Sequence, residues 1–449
     1  MDRRQAGAGF FAVCLAYCAI ILDGSVLNVA IPAIRAGLGS SMAGAQWVLD
    51  GYTLPLAALL LTAGAIGDRI GLRRMLLGGI VVFTAASAAC AAAPGAGWLI
   101  GARAVQGVGA AALLPATLAL IPYLFTRQAD RDRATVAWVA AGAISVAIGP
   151  LAGGLLIEAF GWRSIFLINL PVGVVSAVMA RSHVPETPRH RVPLDYAGQG
   201  FAAAALGLLT AGLIMGGADG WTSPAALAMV AGGGVAGAGF WLAERHARHP
   251  MLPPSFVRNP VRAAAVLSAG LMGFVFYGTL FTMSLYFQEL RGGSAGAAGI
   301  ALLPLTVSST VGPLLLYRPL SRRLGHAPLL VAGFACCGAG TALLWLTGPH
   351  TPYPVTAAGL LLTGGASTIA FSALTSLLMS STPARQSGLG SGLQNTCRQA
   401  GALIAVSILG SVLSPALPAG GLAAALAILG VAEIAGMTAG VTALRAGRQ

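Results

Sequence analysis

Charged side chains are scarce in the long apolar stretches of this 449-residue chain, so each one asks for a reason. Asp23 stands in Leu22-Asp23-Gly24-Ser25-Val26-Leu27-Asn28-Val29-Ala30-Ile31-Pro32, near the middle of an apolar run from Phe10 to Ile34. A charge at such a depth costs at least about 2.5–3.5 kcal/mol on insertion scales, so such groups usually face a wet cavity and do work. A carboxylate there exchanges a proton or attracts a cation as its surroundings change. The bland alternative is a carboxylate merely bonded to Asn28 or to a neighbouring helix. Arg103 is the candidate partner, making Asp23 and Arg103 a proton-coupling pair, with Gln106 one helical turn further on. Asp50, Asn28, Gln106 and Arg398 are candidates for a substrate site or a second proton site. Asp50 has an equal alternative as a surface residue at a helix rim, and Arg398 must face either a cavity or a carboxylate. Glu433, in the last apolar run, reads as structural. None of the six histidines falls within an apolar run, which disfavours a histidine relay.

The elements that hold these groups follow from composition. The chain is 56% hydrophobic and 9% charged, with a mean hydropathy of +0.81. Soluble domains carry about a quarter charged residues, so the sequence describes an integral membrane protein. Apolar runs of twenty or more residues specify helical spans, not the alternating ~10-residue segments of a membrane barrel. The 62 glycines suit close helix packing in lipid. Cys14, Cys18, Cys90, Cys336, Cys337 and Cys397 all lie in apolar segments without metal-ligand spacing. The first apolar run has no cleavage-site pattern and is expected to be retained.

Fourteen spans are expected, near residues 10–34, 44–66, 75–94, 98–124, 134–157, 164–181, 197–217 and 224–243. The others fall near 262–287, 296–317, 327–347, 353–379, 387–413 and 418–443. The basic residues test this count. All 26 are arginine. Only Arg35, Arg163 and Arg291 fall in loops on one side, and only Arg103 and Arg398 lie within spans. Every other arginine, including Arg191, Arg385 and Arg448, falls on the opposite side. Twelve or thirteen spans would follow if 197–243 formed one hairpin lying in the interface, but losing one span would reverse every later loop. With fourteen, both termini are expected in the cytoplasm and the chain in the cell inner (plasma) membrane. The charge of +13 is thus a topology signal and points to no nucleic acid partner. A chain without lysine cannot carry a Walker A sequence, so ATP-driven pumping is excluded. The polar loops at 181–196 and 244–262 bracket spans seven and eight. The expected organisation is 1–196 as a six-helix bundle, 197–243 as two added spans and 244–449 as a second six-helix bundle, with substrate between the bundles.

Between spans two and three stands Gly64-Ala65-Ile66-Gly67-Asp68-Arg69-Ile70-Gly71-Leu72-Arg73-Arg74. Its glycines permit a tight turn, and Asp68 can pair with arginines across helix ends as a conformational latch, the set being Gly64, Asp68, Arg69, Gly71, Arg73 and Arg74. This stretch resembles the cytoplasmic loop signature of the major facilitator superfamily. Leu99 through Gly109, with Arg103 and Gln106, resembles the superfamily's fourth-helix motif, whose arginine is linked to proton coupling. Gly142 together with Gly149-Pro150-Leu151-Ala152-Gly153-Gly154 resembles the fifth-helix antiporter motif of exporters. Leu22–Pro32 and Gly161–Gly173 resemble the first- and sixth-helix motifs of the fourteen-span drug:proton antiporter group. Gln46–Tyr52 and Leu285–Gln288 are most similar to actinobacterial antibiotic-export members such as methylenomycin A resistance proteins. Departures are Ser145, Ser164 and Leu72, and a second-half loop, Arg318–Gly325, without aspartate.

The resemblance implies an all-α membrane protein of the major facilitator fold, two six-helix bundles plus two additional central helices. It implies a carrier and not an enzyme, working as a monomer without cofactor or metal, with protons and a small molecule as its partners in the lipid bilayer. It places Asp50 where cation-exporting relatives carry a carboxylate. The expected activity is proton-coupled export of small lipophilic or monocationic compounds by alternating access, as in antibiotic or drug efflux. The alternative is a facilitator or proton symporter for uptake of a small metabolite.

Overall fold

The computed structural model of the protein describes residues 3–190, 193–383, 386–413 and 419–446. Arg191, Arg385 and Arg448, three of the loop arginines that orient the chain, lie outside the described residues. Among the described residues every regular element is helical. That follows from composition, because a helix satisfies its own backbone and needs no partner strand in lipid.

Among the described residues fourteen long helices follow one another. They begin with α1 (Arg4–Leu38), α2 (Met42–Ile70), α3 (Leu72–Ala91), α4 (Ala96–Ala119) and α5 (Gln128–Phe160). Next come α6 (Ser164–His183), α7 (Tyr196–Asp219), α8 (Pro224–His246), α9 (Pro260–Leu290) and α10 (Ala295–Leu324). The last four are α11 (His326–Trp345), α12 (Tyr353–Ser381), α13 (Ser387–Val412) and α14 (Gly420–Ala446). Thirteen are long and apolar enough to cross a membrane. The other, α13, has 26 residues, ample length for a span. Its first half carries Gln394, Asn395, Arg398 and Gln399, so polarity and not length sets it apart. Each of the fourteen expected spans coincides with one of these helices.

Local chemistry starts and stops them. The Ser41 hydroxyl accepts from Gly44 N at the start of α2, and Asn259 Oδ1 accepts from Val261 N and Arg262 N at the start of α9. Gly71 joins α2 to α3 alone, at φ +97°, a conformation that favours glycine.

Packing falls into two groups of helices. α1 packs on α5 and α6, while α4 packs on α2 and α3. In the second group α9 packs on α12, α13 and α14, and α11 packs on α12 and α14. Three seams join the groups: α2 against α13, α5 against α10, and α1 against α9. α7 and α8 pair with each other and are the least buried helices, and α7 lies along both α2 and α13.

Candidate functional site

The polar contacts between the two groups follow all three seams, from mid-helix to the arginine-poor ends. Arg35 Nη1 lies 2.5 Å from Glu289 Oε1. Ser284 Oγ donates to the Asn28 carbonyl at 2.9 Å, and Gln288 Nε2 to the Val29 carbonyl at 3.1 Å. Gly296 N donates to Glu158 Oε1 at 2.9 Å, and Thr310 Oγ1 to the Ala143 carbonyl at 2.9 Å. Gln46 Nε2 donates to the Val406 and Ser407 carbonyls at 3.1 and 2.9 Å. Towards the arginine-rich ends a cavity of about 980 Å³ lies between α1–α5 and the first half of α13, while α2 and α13 stay in contact where Leu61 packs beside Gly392. Its mouth is marked by Asp68, Asp195, Arg248 and His249, and its inner wall by Tyr17, Trp138 and Arg398. A small recess of about 50 Å³ continues from Arg398 past Asn28, Tyr52 and Tyr277. The protein is closed on its arginine-poor face and open on its arginine-rich face.

Asp23 and Arg103 meet, Arg103 Nη1 lying 2.5 Å from Asp23 Oδ2. Both are buried, Arg103 at 1% and Asp23 at 5% exposure, which leaves little water to solvate either charge. Desolvation of that kind is offset only when every polar atom finds a partner. Here Gln106 Nε2 and Asn169 Nδ2 each donate to Asp23 Oδ1 at 2.9 Å. Arg103 Nη1 also donates to Gln106 Oε1 at 2.7 Å, and Arg103 Nε to the Val48 carbonyl at 3.3 Å. Ser87 Oγ accepts from both Gln106 and Asn169, tying α3, α4 and α6 to α1. The Arg103 guanidinium carbon lies 4.2 Å from the Tyr52 ring centre, and that ring also lines the recess. Neither Asp23 nor Arg103 lines the cavity or the recess. The pair occupies a compartment of its own, with Tyr52 between it and the recess.

Small residues make this compartment possible. A Cβ on Gly107 would collide with the Tyr52 carbonyl, so α4 approaches α2 only with glycine there. Gly149 and Gly153 play the same part between α5 and α1, where a Cβ would strike Ser25 Oγ or Val26 Cγ1. Gly142 abuts Tyr17, whereas Gly154 faces the Ala295 carbonyl on α10. Pro150 is interior to α5, and its carbonyl is approached closely by Gly299. The residues quoted for the fifth-helix motif therefore serve two contacts: one within the first group and one across the α5–α10 seam.

Other candidates separate. Asp50 is fully buried at the α2–α13 seam, where Ser407 Oγ donates to its Oδ2 at 2.8 Å and Oδ1 has no partner. It is not a rim residue, and it does not line the cavity. Asn28 lines the recess while its amide donates to the Gly24 carbonyl at 3.1 Å. Arg398 reaches both cavity and recess. Glu433 is buried between α14 and α11, where Thr341 Oγ1 donates to it at 2.7 Å, far from the cavity lining. In the α2–α3 turn Arg73 and Arg74 pair with Glu186, at 3.1 and 4.0 Å, and not with Asp68. The chain after α6 folds over the turn, Thr187 Oγ1 accepting from Leu72 N and His190 N donating to the Asp68 carbonyl. Asp68 lines the cavity mouth. Ser87 and Glu186 are site residues that the sequence does not single out, whereas Tyr52 and Asn169 stand in quoted motifs without an assigned role.

Comparison with known proteins agrees with this architecture. A family model described as Major Facilitator Superfamily matches residues 13–406. The chain belongs to that family. Major facilitator proteins are in general carriers of small molecules and not enzymes, and this one is a multi-pass membrane protein. It is 34% identical over 413 residues to a methylenomycin A resistance protein of Streptomyces coelicolor, covering 92% of this chain and 87% of that one. It is 31% identical over 419 residues to the tetracenomycin C resistance and export protein of Streptomyces glaucescens, covering 92% and 77%. Among solved structures, the POT family transporter PepTSo superposes with a TM-score of 0.73 at 16% identity, covering 100% of this chain and 99% of that one. At that identity the likeness speaks for the fold alone.

Proposed function

We propose that this major facilitator protein exports small lipophilic compounds from the cytoplasm in exchange for protons, as an antibiotic efflux carrier of the plasma membrane. The carrying observation is the cavity of about 980 Å³, shut at one face and open at the other, with a sealed Asp23–Arg103 pair behind its wall. The relatives named for resistance and export support the direction, as does the glycine set of α5.

On this reading the arginine-rich face is cytoplasmic, both termini lie there, and the monomer is the working unit. Residues 1–196 and 244–449 act as the two rocking bundles, with 197–243 as two added spans beside them. The state described is open to the cytoplasm. Asp23 is the coupling carboxylate and Arg103 its ion-pair partner, with Gln106 completing the pair's bonding. A carboxylate that parts from its guanidinium in a dry site takes up a proton, and returns it when the pair re-forms. Asp50 and Asn28 are the second proton site and a recess-side substrate contact, and Arg398 contacts substrate. Gly64, Asp68, Arg69, Gly71, Arg73 and Arg74 form the latch that closes when the cytoplasmic ends approach.

Direction is tested in inverted vesicles with an acid interior, loaded from outside with labelled lipophilic antibiotics. An exporter accumulates label against its gradient and loses it when a protonophore is added. A carrier that empties preloaded vesicles under the same gradient is an uptake symporter, and the export reading is then wrong.

A further inference from the structure

Among the described residues, the inner wall of the cavity presents a positive charge with no acid beside it. Arg398 is the twelfth residue of α13, roughly 16 Å of helix from its start. It is half-buried and lines both the cavity and the recess. Its Nη1 donates to Tyr277 Oη at 3.2 Å, and Nη2 lies 3.5 Å from Asn395 Oδ1. Among the described residues Arg398 has no ion-pair partner, although Arg103, Arg35 and Arg73 each have one. A guanidinium offers five donors in a fork that matches a carboxylate, and most of this one's remain unused.

The acids that could neutralise it are committed elsewhere. Asp23 is consumed by Arg103, Gln106 and Asn169 in the sealed compartment. Asp50 lies in the α2–α13 seam on Ser407 and lines neither space. Asp68 and Asp195, the carboxylates that line the cavity, stand at its mouth with Arg248 and His249. Aromatic rings surround the charge. Tyr17 is stacked on Trp138 with ring centres 3.8 Å apart, and both line the cavity with Arg398. The guanidinium carbon lies 5.7 Å from the Phe371 ring centre and 6.0 Å from that of Tyr277.

We propose that the cavity takes flat, amphipathic monoanions, the carboxylate seated on Arg398 and the ring against the Tyr17–Trp138 wall. This deepens the export reading and rests on it. An intramembrane charge left without a protein partner is a ligand site by default, and the sign of the charge sets the sign of the ligand. A cation reaching the inner wall meets Arg398 without an acid to offset it. The proposal also fixes the electrical character of the cycle. One proton inward for one monoanion outward moves two unit charges, against one for a neutral cargo and none for a monocation. Each unit charge moved across 100 mV biases the equilibrium about fifty-fold. Acid efflux is therefore the most strongly driven by an inside-negative potential.

Three near-isosteric fluorescent probes test the sign of the site: 9-anthracenecarboxylate, its neutral carboxamide and the cationic 9-(aminomethyl)anthracene. Binding is measured by fluorescence anisotropy on the full chain in detergent. The carboxylate is expected to bind at least tenfold more tightly than the amide, with the cation weakest. Arg398→Gln should erase the preference, and Arg398→Lys should retain most of it, each eluting as wild type on gel filtration. If Arg398→Gln does not fold, the order of the three probes on wild type and on Arg398→Lys decides alone. Equal or tighter binding of the cation, or no binding of any probe, overturns the proposal. Proton release from vesicles on adding cationic dyes but not the acid keeps export and overturns the anion site. Acid binding without proton release by any compound supports the anion site and overturns export.

Discussion

Asp23 Oδ2 lies 2.5 Å from Arg103 Nη1, in a compartment that the Tyr52 ring separates from the recess above the cavity. Gln106 and Asn169 also donate to the carboxylate, so separating the pair by a helix movement means moving α1 relative to α4 and α6 and breaking these bonds as well. In the proposed cycle that shift accompanies the change of access, which is how a proton step and a substrate step become one event.

Removing one partner of such a pair strands a buried charge, at a cost of about 3–5 kcal/mol, whereas replacing both by neutral groups is often nearly neutral. Arg103→Ala should therefore lower the thermal midpoint in detergent more than the double variant Asp23→Asn with Arg103→Gln. Both should be inactive in proton-driven transport. A double variant less stable than Arg103→Ala contradicts the pairing.

Tyr52 stacks on Arg103 and forms the wall of the recess. Tyr52→Phe keeps the ring and loses a 3.3 Å bond to the Ile20 carbonyl, so coupling should persist within a few-fold. Tyr52→Ala should open the compartment and leak protons without substrate, read as dissipation of an imposed pH gradient in proteoliposomes. Tight coupling in Tyr52→Ala would mean that the ring is no barrier.

How much of this was legible from residues alone follows their physics. Asp23, Arg103 and Arg398 stand out because charge is expensive in an apolar run, and the fourteen spans follow from length and the arginine pattern. Asn169 does not stand out, because an uncharged amide costs less there. Its bonds to Asp23 and Ser87 depend on α6 packing against both α1 and α3, which periodicity within one helix does not encode. Glu186 was hidden differently. It reads as an ordinary loop acid, yet it takes Arg73 and Arg74 because the chain after α6 folds back over the α2–α3 turn.

Arg35 and Glu289 join α1 to α9 with side chains 30% and 25% exposed. Pairs this wet are worth about 0.2–1 kcal/mol, so the tie should bias the two faces by no more than about fivefold. Arg35→Glu should raise labelling of a recess cysteine at position 28 from the arginine-poor side within that range. The swap of Arg35→Glu with Glu289→Arg should restore it. A larger change, or no restoration, would place the closing energy elsewhere.

Gly154 and Gly149 lie on one helix but face different neighbours. A Cβ at Gly154 meets the Ala295 carbonyl across the seam that is closed here, while one at Gly149 meets Ser25 within the first group. Gly154→Ala should disfavour this state and reduce labelling of the cavity from the arginine-rich face. Gly149→Ala should weaken α1–α5 packing in every state and lower thermal stability by about 1–3 kcal/mol. Identical phenotypes for the two would show that α5 does not distinguish the seams.

The most direct test of proton-for-substrate exchange at Asp23 is proton release from acidified inverted vesicles, followed with a pH-sensitive dye as antibiotics are added. Wild type should show substrate-induced alkalinisation of the interior, and Asp23→Asn, present at equal level, should show none. A response that survives in Asp23→Asn would contradict the assignment of coupling to this carboxylate.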